Sequence, residues 1–339
     1  MLKRKVHRID KAGNLNSLQL KEETLDSPSK NEVTIQVKAV GLNFADVFAI
    51  TGLYSATPKS SFIPGLEFSG EIITLGDNVK GFKLGDKVMG VTRFGAYATH
   101  INIQTDYIRL IPKSWSYLDG ASFVVQALTA YYALVPLGAI EKNQTVLIHS
   151  AAGGVGILAN RIAKKWNAFT IGTIGDSSKE ELLRREHYDV SIVRTTNFKN
   201  DLKKILGEKE LHLVLECIGG KIFQDSYDLL SSGGRLITYG SANFTPKSSS
   251  PNYFNVALNY LTRPLLDPLD MTTQNKGVFG FNLIWLYEKH ELLGRYLDDL
   301  LKLEIDAQII GKVFPFDNAI EAIQFFQSGK SVGKILLEV

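Results

Sequence analysis

Between Val146 and Ile284 the sequence passes through six short apolar runs: Val146–Ser150, Phe169–Ile174, Val190–Arg194, Leu211–Ile218, Arg235–Gly240 and Val278–Ile284. Their near-continuous Val, Ile and Leu content leaves no polar face, as strands of a parallel sheet covered on both sides require. The intervening stretches carry apolar residues at helical spacing, so the expectation is a doubly wound α/β sheet. Residues 1 to about 120 have another texture. Short β-rich segments such as "EVTIQVKAVGLN" and "FSGEIITLGDNV" are punctuated by Gly70, Gly76, Gly81, Gly85, Gly90 and Gly95, which predicts a compact barrel-like domain of short strands. The ending "KVFPFDNAIEAIQFFQSGKSVGKILLEV" returns to strand, helix and strand and is expected to pack back on that domain. A chain of 339 residues, 45% of them hydrophobic, suits two domains better than one.

Charge and cysteine content narrow the function classes. Lys and Arg exceed Asp and Glu by only 3, and the basic residues are scattered, which leaves no footprint for nucleic acid or acidic lipid. Cys217 is the single cysteine, so an intramolecular disulfide and a cysteine-rich zinc site are excluded and a reducing compartment is expected. The basic start "MLKRKVHRID" is not followed by an apolar run, and no segment is read as the roughly 18 to 20 apolar residues of a membrane span. The expected location is cytoplasmic, with no integral membrane segment.

The stretch "VLIHSAAGGVGILANRIAKKW" places small residues between the first apolar strand and an amphipathic helix. In the G-x-G-x-x-G frame the three positions are Ala151, Gly153 and Gly156, so the first glycine is replaced. Residues Ala152, Gly153, Gly154, Val155 and Gly156 would let a dinucleotide pyrophosphate reach the free N–H groups at the helix start. The next strand tip points to the form of the dinucleotide. Where an acid would accept bonds from a ribose 2′-OH stand Thr173, Ile174 and Gly175, followed by Ser177, Ser178 and Lys179, which suit a 2′-phosphate. NADPH is therefore expected, with NADH left open because Asp176 lies close by. His149 reads as a satisfied core histidine, and "FTPKSSSPN" (Phe244–Asn252) as a loop.

In their order, "GLNFADVFAITGLY", "IPGLEFSGEI", "GDKVMG", "QALTAYYAL", "HSAAGGVG" and "VGKILLEV" resemble the medium-chain dehydrogenase/reductase superfamily, in its zinc-independent quinone oxidoreductase branch. Within it, "YDLLSSGGRLITYGSAN" and "NKGVFGFNLIWL" look most like the vesicle amine transport protein homologues. The resemblance implies a chaperonin-10-like catalytic domain formed by both chain ends, residues 1–122 and 285–339, around a Rossmann domain over residues 123–284. It also implies a homodimer joined through the sixth Rossmann strand. Zinc alcohol dehydrogenases of the superfamily carry Cys and His where Asn43 and Leu66 stand here, and neither of these replaces a thiolate or imidazole ligand. Without a Lewis acid, an acceptor that spreads charge over a conjugated system is the better substrate. The expected activity is hydride transfer from NADPH to a quinone, enone or enal, with Asn43 and Tyr54 as hydrogen-bond donors to the developing oxyanion.

The resemblance further implies cofactor contacts from Gln126 and Thr129, from Gly219, Gly240 and Ser241 at strand tips, from Phe281 and Asn282, and from Gly333 and Lys334 in the tail. Relatives often carry Asp-Tyr after the third strand where Ile192 and Val193 stand here, and Arg194 is assigned as the compensating phosphate or adenine partner. Asp46 is read as structural. The alternative remains an NADPH-binding protein whose role is structural, sensory or partner binding, with little turnover.

Overall fold

A computed structural model describes residues 1–246 and 248–339. Lys247, inside the expected loop Phe244–Asn252, lies outside the described residues. The first part of the chain forms strands β1 (Leu2–Ile9), β2 (Leu18–Leu25), β3 (Glu32–Gly41), β4 (Glu67–Leu75), β5 (Lys87–Val91), β6 (His100–Gln104) and β7 (Ile108–Leu110). Helix α1 (Phe44–Ile50) follows β3, and α2 (Tyr117–Tyr132) leads out of this part. Six strands then alternate with helices: β8 (Thr145–Ile148), β9 (Phe169–Ile174), β10 (Val190–Val193), β11 (Leu213–Glu216), β12 (Arg235–Thr238) and β13 (Gly277–Gly280), with α3 (Gly154–Lys165) directly after β8. The tail adds β14 (Ile310–Pro315) and β15 (Lys334–Glu338).

The middle strands make one parallel sheet in the order β10-β9-β8-β11-β12-β13, the doubly wound arrangement expected from their apolar content. The order reverses between β8 and β11, which opens a crevice beyond their carboxyl ends. The other large sheet runs β14-β15-β3-β4-β5-β7, with β6 also paired to β3, so the tail completes the sheet begun near the start of the chain. Helix α2 joins the two parts. Phe123, Val124 and Leu128 pack in one core with Met89 and Val91 of β5 and with Val146, Ile148, Leu213 and Leu215 of the parallel sheet.

Two expectations need correction. The last apolar run does not extend as strand to Ile284. Strand β13 stops at Gly280, and the side chain of Asn282 accepts from Ile284 N to start a 3-10 turn over Leu283–Glu288. The run stays apolar because Leu283, Ile284, Leu286 and Tyr287 still face the core. In addition, the segment Tyr117–Leu137 is long and apolar enough to cross a bilayer, contrary to the sequence reading. Here 78% of its apolar window is buried inside the protein, so its hydropathy reflects a helix wedged between two sheets.

Candidate functional site

At the end of β8, Ser150 adopts a left-handed φ of 52° and turns the chain into the small-residue loop. Gly153 caps α3, and the first bond of the helix runs from Ile157 N to Gly153 O at 3.0 Å. The N–H groups of residues 154–156 thus have no partner in the helix and, with the helix dipole, form an anion-binding end. A Cβ at Gly156 would lie 2.6 Å from Ser150 O and 2.7 Å from Ala151 Cα. Backbone fills that space, so no side chain fits. A Cβ at Gly154 would lie 1.9 Å from Gln126 Oε1. Gln126 is itself held, because Gln308 Nε2 donates to its Oε1 at 3.1 Å and to Gly154 O at 2.7 Å. The tail crosses the same loop through a bridge between Gly153 and Gly333. A cradle this closely fitted to backbone suits a dinucleotide pyrophosphate.

Arg194 and Lys179 make the tip of β9 positive. Arg194 Nη1 donates to Thr173 Oγ1 at 2.8 Å, and its Nη2 lies 3.3 Å from where a Gly175 Cβ would stand. Lys179 Nζ donates to Gly329 O at 3.1 Å and Ser331 O at 3.3 Å, which ties the tail loop to this tip. Burial lowers the Lys179 pKa, Asp176 opposes the shift and Arg194 adds to it. Asp176 is exposed and caps the turn Ser177–Lys179 by accepting from Ser178 N at 2.8 Å.

His149 is fully buried beneath this tip, and its hydrogen bonds fix its tautomer. Ser226 Oγ spends its proton on Ile222 O at 2.7 Å, so His149 Nε2 must donate to Ser226 Oγ at 2.9 Å. With the proton of the neutral ring on Nε2, Nδ1 accepts from Thr173 Oγ1 at 2.8 Å, and that oxygen in turn accepts from Arg194. A second proton on the ring would oppose the Thr173 hydroxyl proton. Burial first, and the Arg194 charge second, lower the imidazole pKa from 6.5 to about 3.

Asn43 sits in a buried polar cluster at the start of α1. Its Nδ2 donates to Glu67 Oε1 at 2.9 Å and to Gly41 O at 3.3 Å, while its Oδ1 accepts from Lys334 Nζ at 2.9 Å. Lys334 also pairs with Glu67, and Val125 N donates to Glu67 Oε2 at 3.0 Å. Both charged side chains are fully buried. Asp46 accepts from Asn43 N at 2.8 Å and from the Tyr97 hydroxyl at 3.3 Å, and burial pushes its pKa up to about 7. Neither N–H of the Asn43 side chain is left for a substrate. Lys334, expected at the cofactor, instead has its ammonium inside this cluster.

The residues around Asn43 do not fit a zinc ion. Leu66 is apolar, and every polar side-chain atom of Asn43 and Glu67 is bonded within the cluster. Among the described residues, no group of three or more His, Cys, Asp or Glu side chains is placed to hold a metal.

Tyr54 reaches across from the first part of the chain, and its hydroxyl donates to Asn282 Oδ1 at 2.6 Å. Burial raises its pKa, so it remains a phenol. Phe281 packs edge-on to Tyr132 at 5.0 Å. Thr129 Oγ1 turns back to Val125 O at 2.7 Å. At the tips of β11 and β12, Gly219 has a φ of 86°, Ser241 Oγ lies 2.9 Å from where its Cβ would be, and Gly240 adjoins Cys217. Cys217 lies just past β11 rather than within a strand, and burial pushes its thiol up to about 11. Sequence reasoning does not single out Glu67 or Gln308. An acidic residue inside the apolar run "GLEFSGEI" is a readable signal for Glu67, whereas nothing local marks Gln308.

Residues 29–135 match the family of alcohol dehydrogenase GroES-like domains, and residues 154–265 match that of zinc-binding dehydrogenases. The human synaptic vesicle membrane protein VAT-1 homolog is 32% identical over 326 residues, covering 94% of this chain and 82% of that protein. Quinone oxidoreductase 1 of Escherichia coli (strain K12) is 29% identical over 330 residues, covering 96% of this chain and 97% of that protein. The crystal structure of Escherichia coli quinone oxidoreductase complexed with NADPH superposes with a TM-score of 0.83 at 26% identity, over 100% of both chains.

Proposed function

Because the chain belongs to the medium-chain dehydrogenase/reductase superfamily, in its quinone oxidoreductase branch, we propose that it is an NADPH-dependent, zinc-independent reductase of quinones or α,β-unsaturated carbonyls. One observation carries the proposal: Asn43, at the position where the resemblance puts a zinc-ligating cysteine, commits its side chain to Glu67 and Lys334. An oxidoreductase without a Lewis acid at that place is suited to an acceptor whose negative charge is delocalised.

Bound NADPH supplies hydride to the acceptor carbon. The free N–H groups at the start of α3 would hold the pyrophosphate, and Gly156 lets α3 pack directly on the backbone of the loop that shapes this end. Arg194 takes the 2′-phosphate, together with Ser177, Ser178 and Lys179, and its guanidinium is aimed by Thr173 and, behind it, His149. Tyr54 turns its O–H from Asn282 toward the acceptor oxygen and steadies the enolate or quinol. Asn43 acts by fixing the start of α1 through its bonds to Glu67 and Lys334.

Loss of NADPH absorbance against a panel of quinones, 2-alkenals and cyclic enones tests the assignment. Tyr54→Phe should lower kcat about 100-fold with NADPH affinity unchanged. Full activity in Tyr54→Phe would remove Tyr54 from the mechanism. NADPH binding without turnover on any acceptor would favour a binding role, for which the vesicle-protein relatives give precedent only in name.

The proposal includes a homodimer. Strand β13 is an open sheet edge, and the neighbouring helices Tyr253–Leu261 and Pro268–Gln274 expose Phe254, Leu261 and Leu269, with Leu265 exposed between them. Exposed apolar residues in the segment leading to β13, together with the exposed Phe279 on a strand that is an unpaired edge among the described residues, favour closure by a second copy. Sedimentation should give the mass of two chains, and that of one chain for the variant Leu261→Asp, Leu265→Asp. A single-chain mass for the unsubstituted protein would overturn it.

A further inference from the structure

Gln308 stands just before β14, in the tail that completes the first sheet, yet its side chain reaches the start of α3. Its amide is bonded at both ends. Oε1 accepts from Ile309 N at 2.8 Å, while Nε2 donates to Gly154 O at 2.7 Å and to Gln126 Oε1 at 3.1 Å. A peptide carbonyl only accepts, so the atom facing Gly154 O must be Nε2, and Gln126 must turn its oxygen toward that same nitrogen. The Nε2 of Gln126 is thereby turned away from Gln308 and bonds to no acceptor among the described residues. Gln126 is only 7% exposed, and a donor so withdrawn from water is costly unless a ligand accepts from it. Its place is specific. Oε1, Cδ and Nε2 of Gln126 stand 1.9, 2.2 and 2.3 Å from where a Gly154 Cβ would be, so the amide lies against the first residue of α3, beside the free N–H groups of that helix end. Gln308 is itself clamped. About two turns along α3, Arg161 Nη1 donates to Ala307 O at 2.6 Å and Asp306 O at 3.1 Å, while its Nε and Nη2 each grip Glu186 at 2.7 Å. The connector before β14 is therefore laid along α3 and carries Gln308 to its first turn.

We infer that Gln308 is a positioning residue for the cofactor: it fixes the Gln126 amide so that Nε2 donates to the NADPH pyrophosphate, alongside the first N–H groups of α3. The inference rests on NADPH binding in this cradle and not on which acceptor is reduced. The two ends of a glutamine amide have nearly the same shape, so an untethered Gln126 would present oxygen as readily as nitrogen. Oxygen there would set a lone pair against a phosphate oxygen. Gln308 excludes that orientation, because two N–H donors would then meet head-on at the contact now made by Gln308 Nε2 and Gln126 Oε1. A donor already aimed costs less to order when the cofactor binds, and its bond to an anionic oxygen is charge-assisted. The tail thus completes, through Gln126, an anion site whose other donors belong to the Rossmann helix.

The test measures NADPH binding by calorimetry and, by competition, binding of 2′-AMP, which carries the 2′-phosphate but no pyrophosphate. Circular dichroism melts of the unliganded proteins check the fold. Gln126→Met removes the donor and should weaken NADPH about tenfold. Gln308→Met leaves the Gln126 amide free to turn and should weaken NADPH about threefold to tenfold. In the double variant the loss should stay within about twofold of Gln126→Met alone, because Gln308 acts through Gln126. Gln126→Glu still accepts from Gln308 Nε2 but sets a carboxylate oxygen in place of the donor, and should weaken NADPH at least about 30-fold. Affinity for 2′-AMP should change less than about twofold in every variant. A Gln308→Met protein that melts lower yet binds NADPH like the unsubstituted protein would make Gln308 merely structural and overturn the inference. Losses that add in the double variant, or equal losses of 2′-AMP and NADPH, would overturn it too. If Gln308→Met does not fold, Gln126→Glu decides, and NADPH binding within about twofold of the unsubstituted protein would overturn the inference alone. Absence of NADPH binding by the unsubstituted protein would overturn the cofactor assignment and the inference with it.

Discussion

Lys334→Met is expected to cost about 3–5 kcal/mol of folding stability at neutral pH, the loss typical of leaving one partner of a buried ion pair alone. Glu67 would keep the bonds from Val125 N and Asn43 Nδ2, but its charge would have no counterion and no water within the core. Asn43 Oδ1 would lose its donor as well. Methionine matches the length of the lysine stem, so the loss reports charge more than volume. Adding Glu67→Gln should recover at least about 2 kcal/mol, because a neutral amide can still accept from Val125 N and no longer needs a cation. Urea unfolding of the two single variants and the double variant measures this. A Lys334→Met cost under about 1 kcal/mol, or a double variant as unstable as the sum of the singles, would show that the pair is not the charge-compensated unit described.

The second large effect is acid instability centred on His149. Its folded-state pKa is lowered from 6.5 to about 3, so the unfolded chain binds the proton first. The stability tied to the neutral ring is fully present above pH 6.5 and is lost as pH falls toward about 3. At 1.36 kcal/mol per pKa unit the loss is on the order of 5 kcal/mol. Glutamine can reproduce one acceptor and one donor without titrating, so His149→Gln should remove this component. The stability advantage of the unsubstituted protein over His149→Gln should therefore shrink steadily between pH 6.5 and about 3. An advantage constant over that window would rule out His149 as the source. Asp46 has the opposite sign. Its carboxyl is raised from 3.8 to about 7, so its contribution is lost as pH rises through that window, and it cancels between the two proteins.

Locally written features were legible from the chain alone. The parallel sheet follows from runs such as Phe169–Ile174, whose apolar residues leave no polar face, and the observed β9 has those same ends. The glycine loop is legible because a strand, a turn of small residues and a helix are consecutive in sequence. The end of β13 was not, because an apolar run reads alike whether its residues bury themselves from a strand or from a 3-10 turn, and the Asn282 cap decides between them. Tyr117–Leu137 shows the same limit, since hydropathy does not distinguish lipid from the protein's own interior.

The sequence by itself determined a two-part fold, a dinucleotide-type loop and the lack of Cys and His at the usual metal position. The tertiary structure alone decided what occupies that position. Asn43 meets Glu67 across 24 residues and Lys334 across 291, and Tyr54 meets Asn282 across 228. No periodicity or spacing encodes such meetings, because they arise when β15 closes the first sheet and α2 fixes the two sheets against each other. Burial then converts an ordinary lysine, glutamate and asparagine into a charge-matched cluster, since in a dry core each charge and each N–H must find its partner within the protein.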